Sequence, residues 1–120
     1  MRASDLKTPI DVCVRFGVEP APPHQGEKLG LSRTARSEVP VHGLRIAPSE
    51  GVSGWYIWAG EMSDADDFFE PSHVDHIPEV CPLALPFLSL PPGWRFLNDG
   101  DYADVWFDPD LLKDEEDKAE

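Results

Sequence analysis

The chain has 120 residues and a mass of 13.4 kDa, is 41% hydrophobic and 10% aromatic, and carries a formal net charge of −13. That length suits one domain burying roughly two-thirds of the surface its unfolded form exposes, and the apolar content offsets the ordering entropy that keeps charged chains disordered. The same sums exclude a collagen or coiled-coil rod, a disulfide scaffold and an apolar run long enough to span a membrane.

Met1 to Pro9 is charged and has no apolar stretch of the kind a secretory signal needs, so the expected compartment is the cytoplasm. Asp11 to Val18 alternates Val12, Val14 and Phe16 against Cys13 and Arg15, which predicts a half-covered strand stopped by Pro20. From Pro20 to Arg36 neither period is visible, and Pro22, Pro23, Gly26 and Gly30 punctuate a predicted long loop with one helical turn. Val39 to Ala47 returns to β character, with Pro40 at an edge or strand start because it cannot donate a ladder hydrogen bond. Pro48 to Gly54 is turn chemistry.

Gly54 to Gly60 gives the clearest strand signal, with Trp55, Ile57 and Ala59 on one face and Tyr56 and Trp58 on the other. Both faces are apolar enough to be covered, which predicts a central position. Glu61 to Asp67 is an acidic loop, followed by Phe68 and Phe69 as a hydrophobic anchor. Ser72 is placed to cap a short helix over Pro71 to Ile77, closed before Pro78. A second short helix is predicted from Pro82 to about Leu88, with Leu83, Phe87 and Leu90 facing inward and Pro91-Pro92-Gly93 ending it.

Trp94 to Leu97 and Tyr102 to Phe107 flank Asn98-Asp99-Gly100-Asp101, residues that tolerate positive φ, so the two runs form a predicted antiparallel hairpin. Ala103, Val105 and Phe107 are expected to face the core, and Tyr102, Asp104 and Trp106 to face away. After Asp108-Pro109 comes LLKDEEDKAE, which is expected to fray. The sum is a single α+β domain over residues 1–120, its core at about 10–110 and its tails frayed. It is predicted to hold an antiparallel sheet of four to five strands with two short helices on one side.

The acidity has a direction. Residues 1–60 hold seven Lys or Arg against six Asp or Glu, whereas residues 61–120 hold three against seventeen. A field of that sign repels phosphate backbones and acidic membranes, so nucleic acid and membrane surfaces are disfavoured partners and a basic protein surface is favoured. Charge that merely keeps the chain soluble is the plainer alternative.

Cys13 and Cys81 belong to no CxxC or zinc-spaced pair and are read as reduced core thiols. His73 and His76, with Asp75 between them and Cys81 downstream, lack zinc-site spacing, and Pro78 and Pro82 interrupt the run. They are read as surface or half-buried histidines on a helix face, with no metal. Asp99, Asp101 and Asp104 lack the glycine and the twelfth-position Glu of a calcium loop, so they are read as turn residues bonding their own backbone. GxSxG, GxxxxGK[ST], GxGxxG and HExxH are absent from the chain, and no carboxylate pair is singled out by spacing. A non-enzymatic protein without cofactors is expected. The tryptophans Trp55, Trp58, Trp94 and Trp106 read as core, with Trp58 or Trp106 able to reach the surface.

The runs SGWYIWAGE (Ser53 to Glu61), DADDFFEPSHVDHIPEVCP (Asp64 to Pro82) and LPPGWRFLNDGDYADVWFD (Leu90 to Asp108) resemble the immunity protein 33 family, formerly a domain of unknown function. The resemblance covers about half the chain, and Tyr56 to Ala59 stands where an Arg-Phe type of strand is more usual, which marks a divergent branch. It implies a bacterial protein encoded beside a toxin that it binds and neutralises by occluding the active site. On that implication the partner-binding residues are Asp64, Asp66 and Asp67 in the acidic loop and Asp99, Asp101 and Asp104 at the hairpin, with Trp58 or Trp106 as an anchor. The alternative is a non-enzymatic binding or regulatory module for a small molecule or another protein, which calls for a hollow between helices and sheet lined by Trp55 or Trp94.

Overall fold

The computed structural model describes residues 1–63, 65 and 67–113. Its first correction falls on residues 11–18, which form helix α1 (Pro9–Phe16) where a strand was expected. The ends decide it. Thr8 accepts the Asp11 N–H at 3.1 Å while its own N–H donates to Asp11 Oδ2 at 3.1 Å, Pro9 occupies the first turn, and Gly17 closes the helix at φ 67°. Val12, Cys13 and Phe16 then share the inner side, while Val14 is left 75% exposed.

Six strands form one sheet: β1 (Lys28–Leu31), β2 (Val41–Arg45), β3 (Val52–Ala59), β4 (Glu70–His73), β5 (Trp94–Asn98) and β6 (Ala103–Phe107), in the order β4-β1-β3-β2-β5-β6. All neighbours are antiparallel except β1 and β3, so the expected four to five strands and wholly antiparallel pairing are both revised. The two additional strands come from segments expected to be loop and helix. β1 lies within the predicted long loop and β4 replaces the start of the predicted helix at Pro71, leaving Ser72 in a strand. Pro71 is tolerated because β4 is an edge strand. The helical turn begins only at Val74 and continues as α2 (Ile77–Val80), with Pro78 in the first turn, where its missing N–H costs nothing.

β3 lies between β1 and β2, as its two apolar faces predict, and β2 begins just after Pro40. The hairpin of β5 and β6 pairs Trp94 with Phe107 through Asn98 with Ala103. Its turn is held by Asp99, whose Oδ1 accepts the N–H groups of Asp101 and Tyr102 at 2.8 and 2.7 Å. A 3-10 segment, Pro82–Phe87, starts where the second helix was expected and buries Ala84 and Phe87. Phe107 departs from expectation: Ala103 and Val105 are buried, but Phe107 at the strand end is exposed against Trp94. The core also starts before residue 10. Leu6 is buried, and Met1 and Ala3 donate backbone N–H groups to Ala103 and Asp101.

One face of the sheet carries α1, α2 and the Pro82–Phe87 segment. There Trp55, Phe96, Phe87, Leu90 and Val12 pack together, with Phe87 stacked on Phe96 at 4.5 Å and Trp55 Nε1 donating to the Leu88 carbonyl at 3.0 Å. Gly43 makes room for this, since a Cβ there would lie 2.1 Å from the Phe96 ring. Arg45 is also buried on this face, and it has no carboxylate partner among the described residues. Its guanidinium donates to the carbonyls of Ser53, Ala21 and Leu90, tying the chain after α1 and the segment before β5 to the sheet. Burial lowers its pKa. Cys13 and Cys81 are buried free thiols whose pKa values burial raises. Among the described residues no helix is long and apolar enough to cross a membrane.

Candidate functional site

Among the described residues the opposite face of the sheet carries no helix. Strand alternation and register put Tyr56 and Trp58 of β3, His42 and Leu44 of β2, Arg95 and Leu97 of β5, and Asp104 and Trp106 of β6 on this side. Its two halves differ in cover. Towards β4, Phe68 and Phe69 descend from the acidic loop, and Phe69 packs edge-on against Tyr56 at 5.1 Å and Trp58 at 6.1 Å. Gly30 admits that arrangement, because a Cβ there would lie 2.8 Å from the Tyr56 ring. Towards β6 no described residue covers the strands, and Trp106 is 39% and Tyr102 50% exposed.

Trp106 is nevertheless held in place. The Arg95 guanidinium lies 5.8 Å from its ring centroid and bonds Asp108 Oδ2 at 3.1 Å, so a cation backs the indole and a carboxylate fixes the cation. Trp58 is 5% exposed, stacked on His42 at 5.2 Å and roofed by Phe69, so of the two expected anchors only Trp106 presents surface. His42 has its pKa lowered by burial first and by the Arg95 charge second, which favours the neutral imidazole beside Trp58.

The expected acidic residues fall into two groups at one end of the sheet. Ala59, Val41, Asn98 and Ala103 are successive partners, so the loop leaving β3 and the hairpin tip project from the same edge, three strand spacings or about 14 Å apart. Asp101 is exposed at the tip, and Asp104 is exposed on the open face beside Trp106 and Tyr102. Asp99 is different. Its carboxylate accepts the Tyr102 and Asp101 N–H groups, which lowers its pKa and makes it a turn-holding residue first, as a turn residue bonding its own backbone should be. Asp67 is exposed and close enough to Arg33 to raise its pKa, though the larger causes are the hydrogen bond and charge of Glu70, 2.8 Å from Arg33. Asp64 and Asp66 lie outside the described residues.

His73 and His76 do not share a helix face: His73 ends β4 and His76 closes the 3-10 turn, their rings edge-on at 5.5 Å. Cys81 is buried apart from them, and among the described residues no group of three or more His, Cys, Asp or Glu converges on a point. A hollow of about 300 Å³ lies at the far end of β3, lined by Leu29, Ile46, Val52, Trp55, Tyr56 and Phe69 among others. Trp55 does line a hollow, then, but with Tyr56, Phe69 and Pro71 of the helix-free side instead of helices.

Sequence reasoning missed His42, Leu44, Arg95 and Leu97. The signal was present, since alternation in β2 and β5 puts them in phase with Trp58 and Tyr56 once the register is known. The Imm33-like domain model matches residues 8–108. The chain belongs to the Imm33-like domain family. The match spans α1 through β6, so in this Imm33-like domain the whole sheet, its open face and both acidic segments lie within the family region, and of the core only Leu6 and the residues before it fall outside. Neither a curated protein nor a solved structure matches the chain.

Proposed function

We propose that this Imm33-like domain binds a cognate bacterial toxin and silences it by covering its active site, in the cytoplasm of the cell that makes both, and that it catalyses nothing itself. The observation that carries this reading is the bare half of the open face, where Tyr102, Asp104 and Trp106 stand exposed together beside the acidic tip and in line with the acidic loop. A rigid aromatic anchor ringed by carboxylates suits a basic protein cleft: the charge accelerates encounter, and the indole fills a pocket once docked. Asp101, Asp104 and Trp106 are the first contacts, Asp67 and the other acids of its loop the outer ring, and Asp99 holds the hairpin in shape.

The test is co-purification with the product of the neighbouring open reading frame, followed by kinetics of the pair. Trp106→Ala should weaken the complex about 10- to 100-fold, mainly through faster dissociation. Asp101→Lys with Asp104→Lys should slow association and flatten its salt dependence while leaving the turn intact. Failure to bind the adjacent gene product, or on-rates indifferent to the charge reversal, would remove this surface from consideration. The hollow of about 300 Å³ lined by Tyr56 and Phe69 favours a second reading, a small-molecule module, which a ligand-induced rise in melting temperature would reveal.

A further inference from the structure

At the β4 edge of the sheet Lys28, Arg36, Pro71, Ser72, His73 and His76 line a second hollow of about 360 Å³. Lys28 comes from β1, Arg36 from the 3-10 turn after it, and the two histidines from β4 and the turn that follows, so the cluster exists only in the folded chain. Among the described residues no acidic side chain lines it. This is unexpected in a protein of net charge −13, whose surface offers carboxylates in excess. The nearest ones in sequence are otherwise engaged or turned elsewhere. Glu70 bonds Arg33 at 2.8 Å, Glu27 accepts the His24 N–H at 2.7 Å, and Asp75, between the two histidines, and Glu38, two residues after Arg36, are exposed and outside the lining. Among the described residues, Lys28, Arg36, His73 and His76 form no ion pair and no side-chain hydrogen bond.

We propose that this hollow binds the phosphoryl group of a small molecule. An ammonium, a guanidinium and two imidazoles come from several elements around one space. That suits a tetrahedral group with three accepting oxygens better than a planar carboxylate, which a single guanidinium satisfies. The same cations repel a divalent metal, so the paired imidazoles beside them do not form a cation site. The volume, at the lower end of the roughly 300–1,000 Å³ typical of small-molecule sites, leaves space for an organic body attached to the phosphoryl group. The proposal does not rest on toxin binding: the first contacts proposed there, Asp101, Asp104 and Trp106, belong to the opposite edge strand of the sheet and its turn.

The experiment titrates inorganic phosphate into the full chain, against potassium chloride at equal ionic strength, following the histidine ring resonances and the heat of binding. Saturable one-site binding is expected for phosphate and none for chloride. The double variant K28A/R36A should weaken phosphate at least about tenfold, while K7A/R15A, which removes two cations elsewhere on the surface, should leave it within twofold. Phosphate should also raise the melting temperature of the wild type but not of K28A/R36A, which keeps the test valid if the double variant is itself less stable. D101K/D104K should bind phosphate as the wild type does, separating this site from the proposed toxin surface. Linear, chloride-like shifts without saturation, or unchanged affinity in K28A/R36A, would overturn the assignment.

Discussion

The two faces of the sheet are built from the same strands and do opposite things. On one, Trp55, Phe96 and Phe87 are sealed beneath short helices, and every buried polar side chain among the described residues is hydrogen-bonded. On the other, aromatic side chains of the same size stand in the open or lean on one another, with Arg95 backing Trp106 and Phe69 roofing Trp58. Residue type does not separate the faces; cover does. A large aromatic side chain contributes to stability where neighbours replace water all round it, and remains available for a partner where they do not.

Substitutions can break that contrast at several points. The largest effect is expected for Trp55→Ala, which removes a buried indole and leaves the Leu88 carbonyl without its donor: about 4–5 kcal/mol of stability, measured by urea unfolding. Trp106→Ala, the same change on the open face, should cost less than about 1 kcal/mol, and comparable losses from the two would erase the distinction. Arg45→Met should cost about 3 kcal/mol, because the carbonyls of Ser53, Ala21 and Leu90 lose their donors together.

Smaller effects sharpen the comparison through pH. The imidazole of His42 has a lowered pKa, so the unfolded chain takes up a proton at a higher pH than the folded one does. Stability from this group is present above the ordinary histidine value of about 6.5 and is lost as pH falls below it. His42→Phe, which keeps an aromatic ring on Trp58, should flatten the fall in melting temperature between about pH 7 and pH 5, and an unaltered slope would show that His42 takes up its proton alike in the folded and unfolded chains. The smallest effect is at Asp99. Its lowered pKa means that its contribution is present above the ordinary carboxylate value and is lost as pH falls through the lower value of the fold, so wild type should be more stable than Asp99→Asn at neutral pH and converge with it in acid. A gap that persists in acid would mean the turn does not depend on the charge.

Much of the fold was legible where local signals were strong and agreed. The alternation in Gly54 to Gly60, the turn residues between Trp94 and Phe107, and the prolines at 40 and 82 each led to the element found there. Residues 11–18 show two local signals in conflict. The alternating valines suggest a strand, but Thr8, Pro9, Asp11 and Gly17 are a capping box, a helix start and a left-handed stop, and these end signals outweigh a weak β preference. β1 and β4 were not legible, because each is a four-residue strand with Gly or Pro inside and is held by partners distant in the chain. Of the candidate site, Asp104 and Trp106 were read from hairpin alternation and Asp101 from its turn, whereas the burial of Trp58 depends on Phe69 crossing from another segment.

The amino-acid sequence by itself determined which side chains share a face of each strand, where the turns fall and that the acidity gathers in the second half, since these follow from backbone periodicity, φ preferences and composition. Only the tertiary structure decided which face is covered, which tryptophan is left standing in solvent and that Lys28, Arg36, His73 and His76 meet in one hollow. Those outcomes depend on pairing between strands far apart in the chain, and no local period encodes a partner's position.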